Sequence, residues 1–566
     1  MMERPWLNVY PEGVPTEIDL SAYASLNEMI EETFQRFPER RAFFCMGQSL
    51  TYGALNARSA AFAAFLQTRG LGKGARVALM MPNVLQYPVA LIGVLRAGCI
   101  VVNVNPLYTT RELKQQLVDS GAETIVILEN FAATLQAALP GTSIRNIVVT
   151  SMGDMLGARG CIVDAMVRHV KKLVPPWSLP NHVGWSAALR LGVGQGFERV
   201  AVFQDDIAVL QYTGGTTGVA KGAVLLHRNL LANVLQSDAW LAPALKRRGE
   251  TQIITAAALP LYHIFALTVC GFLSIRIGGL AILIPNPRDI KGLIKTLSAF
   301  PISNFPAVNT LYNAMLEHPD FDRLDFSHLV VAVGGGMAVQ ESVARRWFER
   351  TGSALVEGYG LSETSPIATS TPVTATAFTG SVGLPMPSTD IVIRDEAGAD
   401  MPLGTAGEIC IRGPQVMAGY WQRPDETAKV MTDDGFLRSG DIGLFTPEGN
   451  LKLVDRKKDM ILVSGFNVYP NEVEEVVASH PGVSEVAAVG VPDARTGESV
   501  KIFVVRRDPT LTAPELKAYC RERLTAYKLP HAIEFRDALP KTNVGKILRR
   551  VLRDEQAQHS EPVTSP

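Results

Sequence analysis

The chain has 566 residues, 47% of them hydrophobic and 19% charged, with 54 Lys+Arg against 55 Asp+Glu for a formal charge of -1. That length exceeds one ordinary core, so at least two domains are expected, and the apolar content suits a well-buried, soluble α/β protein. The near-zero charge offers no global field for nucleic acid. Six cysteines (Cys45, Cys99, Cys161, Cys270, Cys410, Cys520) lie far apart without a C-x-x-C pair, which argues against a zinc site or disulfide frame and fits a reducing cytoplasm.

The N-terminal segment Met1-Met2-Glu3-Arg4-Pro5-Trp6 has no apolar h-region, so no signal peptide is expected. Leu26, Met29, Ile30, Phe34 and Phe37 make a helical stripe of ordinary core residues. The spacing then predicts a strand over 77–81, a helix over 88–96 and a strand over 100–104. A helix over 111–119 follows, capped by Thr110, and then a strand over 123–128. Strand–helix alternation of this kind predicts a mostly parallel sheet covered on both faces. Residues 151–180 break the alternation. Arg168, His169, Lys171 and Lys172 lie among Val167, Val170, Leu173 and Val174, before Pro175-Pro176-Trp177. Such a basic amphipathic segment either rests on an anionic membrane or is a solvated surface insertion.

Residues 252–275 carry no Asp, Glu, Lys or Arg. Pro260, Tyr262 and His263 interrupt them, and Gly278-Gly279 precede a second apolar run over 280–284. The pattern predicts a buried strand, a loop, a buried helix and another strand rather than a membrane span. From Asp455 the texture turns charged, then a compact set of strands and helices runs to Lys546. The domain boundary is placed there, giving 1–455 and 456–566, with a polar tail from about Gln556.

One segment carries phosphate chemistry: Tyr212-Thr213-Gly214-Gly215-Thr216-Thr217-Gly218-Val219-Ala220-Lys221-Gly222, directly after the apolar Ile207-Ala208-Val209-Leu210. Glycines let backbone N–H groups converge on an anion, hydroxyls add rotatable donors and a lysine adds charge. A Walker loop is excluded because Gly222, not Ser or Thr, follows Lys221, and no G-x-G-x-x-G opens a helix. A nucleophile elbow at Gly360-Leu361-Ser362-Glu363-Thr364 fails because Thr occupies the second glycine position.

The segment resembles instead the phosphate loop of the adenylate-forming superfamily of acyl-CoA synthetases, luciferases and peptide-synthetase adenylation domains. Glu357-Gly358-Tyr359-Gly360-Leu361-Ser362-Glu363-Thr364 resembles its second signature, with Ser362 in place of the usual Thr. The resemblance implies that Tyr359 stacks on adenine and that Glu363 and Thr217 hold Mg²⁺. Gly334-Gly335-Gly336 matches the adenine-pocket loop. Leu259-Pro260-Leu261-Tyr262-His263 matches a further signature, whose His263 would line the acyl carboxylate site. In the stretch 434–458, Asp441 would accept the ribose hydroxyls with help from Arg456. Lys458 falls at the interdomain hinge, while Phe436 and Arg438 stand where the family more often has Trp and His. Pro540-Lys541-Thr542-Asn543-Val544-Gly545-Lys546 matches the last signature, whose lysine enters the site.

The resemblance covers about residues 5–555 and most closely suggests bacterial long-chain fatty-acid:CoA ligases. It implies a large α/β N-terminal domain and a small mobile α+β C-terminal one. ATP, CoA and a long-chain fatty acid are the implied substrates, with Mg²⁺ as cofactor. Lys546 would serve the first half-reaction, and Gly465 and Phe466 the CoA step. The expected location is cytoplasmic, with peripheral contact at the inner face of the membrane and a homodimer as candidate associations. Transfer to a carrier-protein thiol, a fatty-acid or nucleotide sensor on the same fold, and a membrane transporter are the alternatives. The intact set Thr217, Glu363, Asp441 and Lys546 speaks against a sensor.

Overall fold

The computed structural model describes residues 4–213, 220–246, 251–493, 495–542 and 545–560. Two large sheets form its body. The first runs Gly419–Tyr420, Lys221–Leu226, Ile207–Thr213, Ile100–Asn103, Arg76–Met80, Thr124–Leu128, Asn146–Thr150 and Val183–Gly184. Every pairing from Ile207–Thr213 to Val183–Gly184 is parallel. Its strands are continuous apolar runs because helices cover both faces: Val77, Ala78, Leu79 and Met80 are wholly buried. The second sheet has nine strands, parallel through its middle from Leu355–Gly360 to Arg41–Cys45.

The charge-free stretch folds as its pattern predicts. Strand Ile254–Ala257 leads through a loop to helical turns over 264–276 and then to strand Leu280–Leu283. Among the described residues no helix is long and apolar enough to cross a membrane. The expected cap moves by one residue. Thr109, not Thr110, caps helix Thr110–Ser120, because Glu112 completes a reciprocal capping box with it.

A third, antiparallel sheet joins Asp390–Arg394, Gly407–Arg412, Leu437–Phe445 and Leu451–Arg456. The expected boundary at Asp455 falls inside its last strand. Beyond it, a separate sheet of Ile461–Val463, Phe466–Val468, Val483–Asp493, Gly497–Arg506 and Ala532–Arg536 encloses its own apolar core.

The basic segment differs from a free cationic face. Val167 is buried, and Arg168 donates to both carboxylate oxygens of Glu129 at 2.8–3.0 Å. Val170 and Leu173 remain exposed beside Lys171 and Lys172.

Candidate active site

The carboxyl ends of parallel strands from both large sheets meet around a cavity of about 540 Å³. Open α/β sheets place ligands at such ends because side chains there escape the ladder and converge. A buried polar relay sets the spacing between the sheets. Asn83 donates to the carbonyls of Ala257 and Leu259 and accepts from the Leu261 N–H, all at 2.8–2.9 Å. Asn103 donates to Gln211, which donates to the Tyr262 carbonyl. Fully paired networks of this kind are rigid, and this one fixes the loop that presents His263.

At the polar end, Gly360 is required. A Cβ there would lie 1.8 Å from the Pro366 carbonyl oxygen, so only glycine lets the strand end close up. The chain then presents Tyr359, Ser362 and Glu363 to the cavity. Asp441 stands opposite Arg456 on neighbouring strands, forms an ion pair with Arg456 Nε at 3.2 Å and accepts from the Tyr359 hydroxyl at 2.9 Å. The Asp441 side chain is only 5% exposed, so it is a paired interior carboxylate and not a solvated turn residue. Tyr359 is itself buried with its hydroxyl on Asp441, an orientation set by a contact 82 residues away in the chain. Glu363 accepts from the Tyr420 hydroxyl at 2.7 Å. The Lys221 ammonium lies 5.1 Å from the Tyr420 ring centroid and pairs with Glu426.

Lys546 enters the cavity from the C-terminal region on a turn in which Thr542 N–H donates to its carbonyl at 2.7 Å. Its own N–H donates to Thr542 Oγ1 at 3.1 Å. Gly545 precedes it with φ +84°, and a Cβ there would meet Thr310 Oγ1 at 2.7 Å. Thr310 instead donates to the Gly545 carbonyl at 2.9 Å, docking the turn on helix Asn309–Glu317. Burial, reinforced by the Arg456 cation, pulls the Lys546 pKa down to about 7. His263 accepts from the Phe265 N–H, and burial with the Lys546 charge lowers its pKa to about 4, so its imidazole is neutral. Burial also lowers Lys458, which lines the same cavity.

The opposite end is apolar. Trp240 and Leu241 of helix His227–Lys246 face Val269 and Leu273 of the following helical segment, with Val373 and Met386 alongside. The Trp240 indole N–H is satisfied by the Thr371 carbonyl at 3.1 Å, leaving its ring as wall.

Of the sequence-predicted residues, Thr213, Lys221, His263, Gly335, Gly336, Gly358, Tyr359, Gly360, Ser362, Glu363, Asp441, Arg456, Lys458 and Lys546 line this one cavity. Gly334 and Glu357 are neighbours on adjacent strands beneath it and do not line it. Glu357 accepts from the Val339 N–H, and burial pushes its carboxyl up to about 8. Gly465 and Phe466 are not brought in; Phe466 is 56% exposed and stacks on Tyr527. Gly214, Gly215, Thr216, Thr217 and Gly218 lie outside the described residues. Tyr420, Glu426, Thr310 and Trp240 escaped the sequence reading. No local pattern marks them, and tertiary contact alone brings them to the site.

The cavity at the parallel strand ends thus gathers charged groups, an apolar wall and Lys546. The model of the AMP-binding enzyme family matches residues 30–421, and that of the AMP-binding enzyme C-terminal domain matches 472–546. The chain belongs to this family. It is 54% identical over 556 residues to the long-chain-fatty-acid–CoA ligase of Escherichia coli O6:H1, covering 98% of each chain. Among solved structures it is similar to ATP-bound MatB from Rhodopseudomonas palustris, at 28% identity and TM-score 0.78 over 95% of this chain and 100% of that one. The anthranilate CoA ligase AuaEII, in complex with anthranoyl-AMP, shares the fold at 23% identity and TM-score 0.81, over 95% and 99% of the two chains.

Proposed function

We propose that the chain is a long-chain fatty-acid:CoA ligase working through an acyl-adenylate in two half-reactions. A fatty carboxylate oxygen attacks the α-phosphorus of ATP and expels pyrophosphate. The CoA thiol then attacks the acyl carbon, giving the thioester, AMP and a proton. The observation that carries the reading is one cavity holding Lys546, the Asp441–Arg456 pair and an apolar wall together. The 54% identity to a relative of that name supports the substrate class.

Each role follows from local chemistry. Asp441 has the acceptor capacity to take ribose hydroxyls, with its orientation fixed by Tyr359 and Arg456. Lys546 meets a repulsion problem. Carboxylate and α-phosphate brought to about 4 Å repel by roughly 4 kcal/mol at an effective dielectric near 20. A dehydrated ammonium aimed between them offsets that and follows the charge toward the leaving group. Neutral His263 can donate a hydrogen bond to the carboxylate without adding another cation beside Lys546. No protein nucleophile is required.

The residues fit Mg²⁺. Glu363 offers a carboxylate at the charged end whose hydrogen bond among the described residues comes from Tyr420 onto one oxygen, and Mg²⁺ binds through one or two such ligands plus phosphates. Glu363 and Thr217 would hold it, and it supplies charge neutralisation on the phosphates. We assign residues 1–455 to the nucleotide- and acyl-binding domain and 456–566 to a mobile domain, with Lys458 as hinge and Gly465 and Phe466 reaching the site in the CoA step. Exposed Val170 and Leu173 beside Lys171 and Lys172 support peripheral contact with anionic lipid. K171Q/K172Q should then lose vesicle binding, and a parent protein that ignores anionic vesicles ends that part of the reading.

The test is AMP release dependent on both ATP and CoA across acids from octanoate to stearate, with free acyl-CoA as product. Four added methylenes at about 0.8 kcal/mol each should raise kcat/KM on the order of a hundredfold. Preference for acetate, an aromatic acid or an amino acid refutes the substrate class. Adenylate without acyl-CoA redirects the second step to a carrier-protein thiol.

A further inference from the structure

Lys221 opens strand Lys221–Leu226 with its side chain at the charged end of the cavity, beside Glu363 and Tyr420. Its ammonium is paired with Glu426 of the short helix Pro424–Val430. The other Glu426 oxygen takes Lys429 Nζ at 2.5 Å. Lys429 lines an adjoining cavity of about 340 Å³ that shares Leu361, Glu363 and Tyr420 with the first. The Lys221 and Glu426 side chains are 19% and 31% exposed, so the pair is partly shielded from water and its attraction exceeds that of an open surface pair. A carboxylate and a phosphate oxygen carry like charge and want the same hydrogen-bond donors. Any polyphosphate that reaches Lys221 must therefore share the ammonium with Glu426 or displace it.

We infer that Glu426 is a positioning residue that competes with polyphosphate for Lys221. It draws the ammonium back as pyrophosphate leaves, and it weakens the hold on that product. Glu426 acts through Lys221 and touches no reacting atom. Lys429 completes the exchange, since it holds the carboxylate near the phosphate end when Lys221 turns to the nucleotide. The inference rests on the proposed role of Lys221 as a phosphate contact.

Both can be tested with full-length protein, using inorganic pyrophosphate as inhibitor and ATP as substrate, on E426Q, K221M, the double variant and D425N. The last removes the same charge from the neighbouring position of the same helix, without the Lys221 contact. For a pair of this exposure, E426Q should tighten pyrophosphate inhibition by about three- to fivefold and lower the KM for ATP, with kcat unchanged or reduced by slower product release. D425N should shift either constant by under about twofold, and E426Q should add nothing in the K221M background. K221M with unaltered pyrophosphate and ATP constants overturns the phosphate role of Lys221 itself. K221M that weakens both, beside an E426Q indistinguishable from the parent or an E426Q gain that survives in K221M, overturns the competition while leaving that role standing.

Discussion

The two sides of the cavity are held in different ways. The side built on the two large sheets and the third, antiparallel sheet is anchored by ladder pairing and buried side-chain contacts, such as Asn83 on Ala257, Leu259 and Leu261, and Asp441 between Tyr359 and Arg456. The side that brings Lys546 meets helix Asn309–Glu317 through polar contacts, and strand Leu451–Arg456 through Asn471 and Arg549 on Asp455. Thr310 donates to the Gly545 carbonyl, Asn313 donates to the Ser484 carbonyl, and Glu317 pairs with Arg507 at 3.1 Å. Polar contacts of this kind can be released cheaply, whereas a broken buried relay leaves unpaired groups in the interior. The lesson is a difference in anchoring: on the proposed mechanism the binding geometry is fixed and the Lys546 cation is delivered.

Removing the delivered group should produce the largest effect. K546A should slow adenylation by about 10²–10³-fold, the usual cost of losing one preorganised charge-stabilising donor. Thioester formation from supplied acyl-adenylate should be spared, because CoA attack on a mixed anhydride does not need this cation. Single-turnover measurement of each half-reaction checks it. Equal loss in both would place Lys546 among the fixed binding groups and erase the distinction.

The same residue should set an alkaline limb. Its pKa near 7 arises from burial and from Arg456, and its working form is the cation. As pH rises through about 7 the charged fraction falls, so kcat/KM for adenylation, which reports the free enzyme, should drop toward tenfold per unit. His263, lowered to about 4, contributes no limb near neutrality. K546R stays charged and should flatten the profile at a lower rate. A limb that persists in K546R would assign the titration elsewhere.

The legibility of the sequence follows the same division. The strands were readable because a strand buried on both faces is a continuous apolar run, and the strand–loop–helix–strand of the charge-free stretch was readable from its Pro and Gly punctuation. The cap shifted from Thr110 to Thr109 because two adjacent threonines compete and the partner at Glu112 decides. Arg168 read as a free cation since its partner, Glu129, lies 39 residues away. Tyr420 on Glu363 spans 57 residues and Glu426 on Lys221 spans 205, distances over which no periodicity carries information. Motif resemblance picked out residues that mostly share one cavity, but the contacts between them exist only after folding.

The smallest expected effect is the sharpest test of delivery. Glu317 and Arg507 are 35% and 37% exposed, and Glu317 also accepts from the Ser484 hydroxyl, so the pair is a rim contact worth at most about 1 kcal/mol. E317Q weakens it without emptying the cavity or touching a buried relay. If this contact favours the arrangement that carries Lys546 inward, adenylation kcat/KM should fall by no more than about fivefold. The thioester half-reaction, which on the proposed domain exchange needs that arrangement released, should stay level or rise slightly, since a shifted equilibrium favours one state at the expense of the other. Added salt should shrink the difference between E317Q and the parent, because a rim ion pair is screened. A matching fall in both half-reactions would instead mark Glu317 as a general stabiliser, and the C-terminal unit would then be as firmly seated as the sheets.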